Sequence, residues 1–211
     1  MVHSDGKENI EFNAGMTHSS VALNEIQKIL KKVNIAIKNL DAVAFSAGPG
    51  SFTGIRIACG VAYGIAFPHK IPLVGISSLE TIASMAESDY ILSTIDARMD
   101  EIYLQFFKRC KDKKIIPLSE PLVTSPGKLP NPPQEIINRF SVIGSGYEMF
   151  KGHFNEAYHG YILDKQNLKT NMANFMASIA LGQLPDKFSF DGIQPIYVRN
   201  KVAKTIDERN K

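Results

Sequence analysis

The sequence predicts an α/β protein built as two lobes, each a sheet covered by helices. Three observations carry this. Short apolar runs alternate with helical patterns between residues 42 and 86, which argues a parallel or mixed sheet flanked by helices. Two longer strand-like runs, YILSTIDA (90–97) and EIYLQFF (101–107), open a second series. Each half also carries a glycine turn directly after a strand, at GPGSFTG (48–54) and at GSG (144–146).

The first half reads in order along the chain. Residues 1–14 are short of apolar side chains. SDGK (4–7) is a turn signal, and Glu8–Phe12 is the predicted return strand of a hairpin. A helix follows, capped by Thr17 or Ser19, with Leu23, Ile26, Ile29, Leu30 and Val33 on one face. Ala42–Phe45 is a short buried strand, and the turn from Gly48 opens a helix that ends before Pro68. Pro72–Ile76 is the next strand. In SSLE (77–80), Ser77 caps and Glu80 reaches back, a capping box for a helix to about Ala86.

In the second half the strand pair continues through a charged turn, KRCKDKK (108–114), into IIPLSEPLV (115–123), giving a three-strand meander. TSPGKLPNPPQE (124–135) holds four prolines and reads as irregular. FSVIGSG (140–146) is a strand entering the second glycine turn. NMANFMASIALGQL (171–184) is an apolar helix stopped by Gly182 and Pro185, and PIYVRNKVA (195–203) begins extended. The division predicted is residues 1–87 and residues 88–211.

Composition narrows the function classes. The 211 residues are 44% hydrophobic, enough for one large domain or two small lobes. A net charge of +3 is far from the footprint of a dedicated nucleic-acid binder. The two basic runs, 108–114 and 199–211, read as a solvated turn and a solvated tail. Two cysteines make no disulfide framework, so a reducing, cytoplasmic compartment is expected, with Cys59 as packing. No apolar run approaches the roughly 20 residues of a membrane span, and MVHSDGKENIEF carries no signal-peptide pattern.

The loop Gly48-Pro49-Gly50-Ser51-Phe52-Thr53-Gly54 fails the P-loop template, because it has no lysine to reach a terminal phosphate. It also fails the strict dinucleotide fingerprint, since Thr53 stands where the third glycine belongs. It is either a plain tight turn at a helix start or a weak anion cradle. The helix beyond it is more telling. Gly54, Ala58, Gly60, Ala62, Gly64 and Ala66 are small, and Ile55, Ile57, Val61 and Ile65 stand between them. Interior glycines cost about 1 kcal/mol each relative to alanine. Something must approach this backbone closely, either its own sheet or a helix of another subunit. Arg56 either pairs with a carboxylate or anion or points to solvent.

Several chemistries are excluded by spacing. No two histidines stand three or four apart, so there is no helical metal pair and no HExxH. No Gly-x-Ser-x-Gly elbow occurs, and nothing local supports Ser51 with His18 or His69 as nucleophile and base. No catalytic residue, metal or cofactor is assigned. Asp96, in IDARMDE, is the one candidate for a weak magnesium or nucleotide contact; its other reading is an Asp-initiated turn with Arg98 as its ion-pair partner.

Four segments in order, AFSAGPGSFTGIRIACGVAYGIA (44–66), VGISSLETIA (74–83), IDARMDEIY (95–103) and PIYVRNKVA (195–203), resemble the bacterial TsaB family, also called YeaZ. The resemblance covers about Val2 to Ala203. It implies a two-lobed, ribonuclease-H-like fold of the actin and heat-shock-ATPase type. It implies work as a non-catalytic subunit in forming threonylcarbamoyladenosine on the tRNA adenosine beside the anticodon. The implied partners are a TsaD-type threonylcarbamoyltransferase, whose degenerate paralogue this chain would be, and a TsaE-type ATPase, with a homodimer as a further state and tRNA met only through the complex.

The resemblance also implies a partner interface on the first lobe: Gly48, Pro49, Gly50, Ser51, Phe52, Thr53, Gly54, Arg56, Ala58, Gly60 and Gly64, with His18, Ala22 and Ile26 of the preceding helix. Family members begin with a strand and an Asp-Thr-Ser-type turn. Met1-Val2 here aligns inside the second strand, so the first strand of the first lobe is expected to be missing. An active ATPase or kinase of the same fold, and less so a peptidase, are the alternative readings.

Overall fold

A computed structural model describes residues 1–3, 6–11, 18–166, 171–185 and 194–199. The chain opens with a short antiparallel hairpin, β1 (Val2–His3) and β2 (Gly6–Lys7). The return strand therefore lies at Gly6–Lys7; of the expected Glu8–Phe12, residues 8–11 carry no strand and Phe12 lies outside the described residues. The register pairs His3 with Gly6 and Val2 with Lys7, and the ladder is finished once the Glu8 N–H reaches the Met1 carbonyl.

Helix α1 (His18–Lys32) leads to β3 (Val43–Gly48), helix α2 (Phe52–Ala66), β4 (Leu73–Ser77) and α3 (Ser78–Met85). β3 and β4 run parallel. The expected alternation of strand and helix is present in this order. α2 stops where Pro68 enters a single 3-10 turn. Ser77 caps α3, its Oγ accepting from Glu80 N–H at 3.3 Å. The other half of the expected capping box is not formed by Glu80 as predicted: its carboxylate takes a long contact, 3.5 Å, from Gln183 Nε2.

The larger sheet is mixed. β5 (Tyr90–Arg98) and β6 (Glu101–Arg109) form its long antiparallel pair. The third strand of the meander is broken in two, β7 (Ile115–Pro117) and β8 (Leu122–Thr124), both on β6. On the other side, β9 (Phe140–Gly144) pairs parallel to β5, and β10 (Ile162–Gln166) parallel to β9. Between β9 and β10 lie two short helices, α4 (Ser145–Met149) and α5 (Lys151–Ala157), which the sequence reading did not assign. Helix α6 (Met172–Leu181) ends at Gly182 as expected.

Each sheet is covered on both faces. α2 lies over Phe45, Ala47 and Leu73 through Ala62 and Ala66. On the other face Val74 and Ile76 meet Ala180, Met176 and Ile179 of α6. In the larger sheet, Ile91, Tyr103, Phe107 and Ile143 pack under Leu79, Ile82 and Ala83 of α3. The opposite face, with Leu92, Leu104, Phe106 and Phe140, is closed by Tyr147, Phe154 and Tyr158 of the two short helices and their exit. Aromatic edges meet faces here, Phe106 on Phe140 at 5.5 Å and Phe140 on Tyr158 at 5.3 Å.

The β5–β9–α4 junction is the tightest point. Thr94 is fully buried; its hydroxyl donates to the Ile143 carbonyl and accepts from Tyr147 N–H at 2.9 Å. Gly144 has φ +119, and a Cβ there would overlap the Thr94 carbonyl oxygen. Glycine is the only residue that fits.

Two outcomes follow. Gly144→Ala destabilises by about 2–5 kcal/mol, the sum of backbone strain and overpacking, read by denaturant unfolding. Glu80 is half-buried, and burial raises its pKa. A carboxyl raised in the folded state favours folding below its unfolded pKa, and that contribution is lost as pH rises through the folded value. Glu80→Gln should therefore raise the melting temperature at pH 7 and leave it unchanged near pH 4, and a larger gain at acid pH would be the wrong sign.

Candidate functional site

β3 leaves its ladder through a register shift between Ser46 and Gly48. Gly48 takes φ +104, and a Cβ there would crowd Ile55 Cδ1 at 2.8 Å and the Ile196 carbonyl at 3.1 Å. Gly48 and Pro49 are buried, joined by a cis peptide bond. Ser51 is the N-cap of α2, its Oγ accepting from Gly54 N–H at 3.3 Å. Ser51 thus serves the helix start, and the loop is built first as the start of α2. Phe52 and Thr53 are exposed on its first turn.

α2 has two unlike faces. Ala62 and Ala66 are buried against Phe45, Ala47 and Leu73 of β3 and β4, and Ile55 is buried under the loop at Gly48, while the buried Ile65 borders the groove described next. Gly60 and Gly64 point the other way, with nothing within 4 Å of the place a Cβ would occupy. They floor an open apolar groove of about 520 Å³ with Leu23 of α1 and with Ile37, Ile57 and Val61 along its walls. Its rim includes Pro68 and His69. The small residues of α2 therefore serve two purposes: the alanines allow close approach to the sheet, and the two glycines leave a trough on the outside.

The predicted interface residues distribute unevenly over this geometry. Gly60 and Gly64 lie in the groove, and Ala22 and Ile26 are half-buried on α1, which packs on α2. His18 begins α1, but its side chain lies outside the described residues. Ala58 faces a separate small cavity of about 190 Å³ beside Ser46, Ser51 and Ser78, with Gly50 and Gly54. Leu23, Ile57 and Val61 also line the groove and were not among the residues named for the interface. Their signal was present, since bulky apolar side chains alternate with small ones, but Leu23 read as core from its helical spacing and is exposed here.

A second concave region separates the α2 loop from the β5–β6 turn. The extended segment 194–199 passes across both. Ala47, out of register at the bulge of β3, accepts from Ile196 N–H at 2.7 Å. Tyr197 stacks on Phe52 at 6.0 Å and its hydroxyl accepts from Arg56 Nε at 3.2 Å. The Arg56 guanidinium lies 3.8 Å over the Phe52 ring. Arg199 donates to the Ala97 carbonyl at 3.0 Å and pairs with the Glu101 carboxylate. Arg56 is thus engaged by its own chain's aromatic pair.

The cleft beneath this segment, about 500 Å³, is bordered by Ser51, Thr53, Asp96, Arg98, Tyr103 and Tyr197. Asp96 does not present a bare carboxylate to it. Oδ1 accepts from Arg98 N–H at 2.8 Å and Oδ2 pairs with the Arg98 guanidinium at 3.0 Å. Arg98, Met99 and Asp100 follow with φ of +61, +55 and +55. Three successive left-handed residues without a glycine cost on the order of 1–2 kcal/mol each, and the Asp96–Arg98 bonds help hold that turn. Among the described residues, no three His, Cys, Asp or Glu side chains gather as a metal site, and no helix is long and apolar enough to cross a membrane.

Comparison with known proteins adds the following. The family described as "TsaD: tRNA N6-adenosine threonylcarbamoyltransferase" matches residues 13–205. The chain is 30% identical to the tRNA threonylcarbamoyladenosine biosynthesis protein TsaB of Haemophilus influenzae, over 96% of this chain and 89% of that protein. It is 28% identical to the Escherichia coli protein of the same name, over 95% and 89%. Among solved structures, YeaZ from Pseudomonas aeruginosa superposes with a TM-score of 0.68 at 23% identity, over 86% of this chain and 84% of that one. A second, titled as an uncharacterized protein with similarity to peptidase YEAZ from Pseudomonas aeruginosa, reaches 0.71 at 24% over the same shares. These two likenesses bear on the fold, which is the two-lobed, actin-like one the resemblance implied.

Proposed function

The chain belongs to the TsaB (YeaZ) family, and from that premise we propose that it acts in the formation of threonylcarbamoyladenosine in tRNA as a non-catalytic, docking subunit. The observation that carries the docking role is the uncovered trough on α2. Two interior glycines weaken a helix by about 1 kcal/mol each, and here, among the described residues, nothing lies within 4 Å of where either would carry a Cβ. Their room is on the outside, between apolar walls, where another helix can lie close to the backbone. The partner on this reading is a TsaD-type transferase subunit, with a TsaE-type ATPase joining the assembly and a second copy of this chain as the competing occupant. Residues 1–87 would form the docking unit.

A supporting role is favoured over a transferase one by the sequence. Its five histidines offer no pair at helical metal-binding spacing. Asp96, the acid nearest the cleft, is tied to Arg98. The loop at Gly48 begins a packing helix and makes no dedicated phosphate cradle.

Gly60→Leu and Gly64→Leu should weaken capture of a TsaD-type partner at least about tenfold, as overpacking of an interface does, while the isolated chain melts no lower than wild type because the space is open. Equal loss of stability and binding would place that face inside the fold. In cells, depletion of the protein should remove threonylcarbamoyladenosine from bulk tRNA, read by nucleoside mass spectrometry, and re-expression should restore it. An unchanged level would refute the pathway.

A further inference from the structure

The densest charge on the chain is the tip joining β6 to β7. Lys108, Arg109, Lys111, Lys113 and Lys114 stand there with Asp112 in the run, and Glu87 and Asp89 lie close enough to act on Arg109. The whole sequence carries +3, so the four lysines of this tip give one end of the larger sheet a local positive field.

The tip is built and is not a loose run. Lys113 N–H donates to the Cys110 carbonyl at 2.9 Å and Cys110 N–H to the Lys114 carbonyl at 2.8 Å. Asp112 Oδ1 accepts from Lys114 N–H at 3.1 Å, and Lys113 sits at φ +66. Arg109 turns inward and anchors the base, donating to the Ser84 carbonyl at 3.1 Å and to the Ala86 carbonyl at the end of α3. Lys111, Lys113 and Lys114 are exposed, and the Lys108 ammonium lies 5.8 Å from the centre of the Tyr90 ring.

Lysines often guard an exposed sheet edge from pairing with another sheet. That role does not account for these. The edge strand β7, Ile115-Ile116-Pro117, has none; the charge sits beyond it, in the turn. Lys114 Nζ lies 3.8 Å from Asp112 Oδ2, an exposed and therefore weak pairing, and the exposed Lys111 and Lys113 add positive charge beside it. A polyanion binds such a cluster by exchanging its own condensed counterions for the ammonium groups.

We infer that this tip is a docking point for the phosphate backbone of RNA, the tRNA of the pathway proposed above. The identity of the RNA rests on that reading; the electrostatics do not. This departs from the expectation that tRNA is met only through the partner. The contact is by point charges to phosphate oxygens, which position the RNA without reading its bases. β6 is a nine-residue strand, so the tip stands about 30 Å from the turn beside the α2 loop.

The test titrates labelled tRNA with the full chain at several salt concentrations. One variant carries Lys111→Glu, Lys113→Glu and Lys114→Glu. A charge-matched control carries Lys31→Glu, Lys38→Glu and Lys128→Glu, all exposed positions elsewhere. The tip variant should lose at least about tenfold in affinity near 50 mM salt, with the log–log salt slope reduced by about two to three, and the control should lose little.

Equal weakening of both variants would assign the effect to net charge and overturn the inference. So would no tRNA binding by the wild-type chain at low salt. Unchanged tRNA binding with lost affinity for phosphatidylserine vesicles would give the tip to a membrane surface instead. The two readings fail separately. A tip variant that binds tRNA normally and restores threonylcarbamoyladenosine in depleted cells overturns this contact and keeps the pathway. Depletion without loss of the nucleoside, alongside weakened tRNA binding by the tip variant, keeps the contact and refutes the pathway.

Discussion

A pair of parallel strands is too small a sheet to stand in water. β3 and β4 are stable here because helices cover both faces and a distant segment of chain secures the exit of β3. α2 supplies the cover on one side, and its quality as cover depends on alanine at the contacts, which brings the helix close to Phe45 and Leu73. The open groove on α2 follows from the same constraint. A helix slim enough to pack tightly inward, and glycine on its outward side, leaves a furrow where an ordinary amphipathic helix would show a polar ridge.

The larger sheet is secured differently. Its centre is held by backbone contact and buried hydroxyls at Thr94 and Gly144, and aromatic rings close its far face. That rigid centre carries the β5–β6 pair out in both directions. One end is the left-handed turn beside the α2 loop; the other is the basic tip. The left-handed turn and the basic tip therefore sit on strands whose positions are fixed by the core.

Much of this was legible in the residues. The Ser77 cap, the stop of α2 before Pro68 and the stop of α6 at Gly182 are local events, decided by side chains within a few residues of the backbone they serve. The Asp96–Arg98 pairing was one of two readings open from IDARMDE, and the geometry contains it. α4 and α5 escaped notice because neither carries a capping side chain and Gly152 interrupts an aromatic spacing that otherwise has helical period. β10 lies at a sheet edge and takes its identity from pairing with β9, which no local pattern encodes. The two-sidedness of α2 was equally hidden, since small residues at nearly every second position have no period to follow. The packing of Ala62 and Ala66 on Phe45 and Leu73, the contact between Ile55 and the loop, and the open space beside Gly60 and Gly64 separate inside from outside.

The crossing segment at 194–199 has a consequence for how the molecule is made. The bond from Arg56 to Tyr197 joins residues 141 apart in sequence, and closing a loop of that length costs roughly 4 kcal/mol of chain entropy. α6, which covers the second face of the small sheet, is also translated late. β3 and β4 are therefore made well before the segments that complete them. A nascent chain must hold β3 and α2 with their apolar faces unfinished until residues 194–199 have left the ribosome, an interval in which the faces of that small sheet stay exposed.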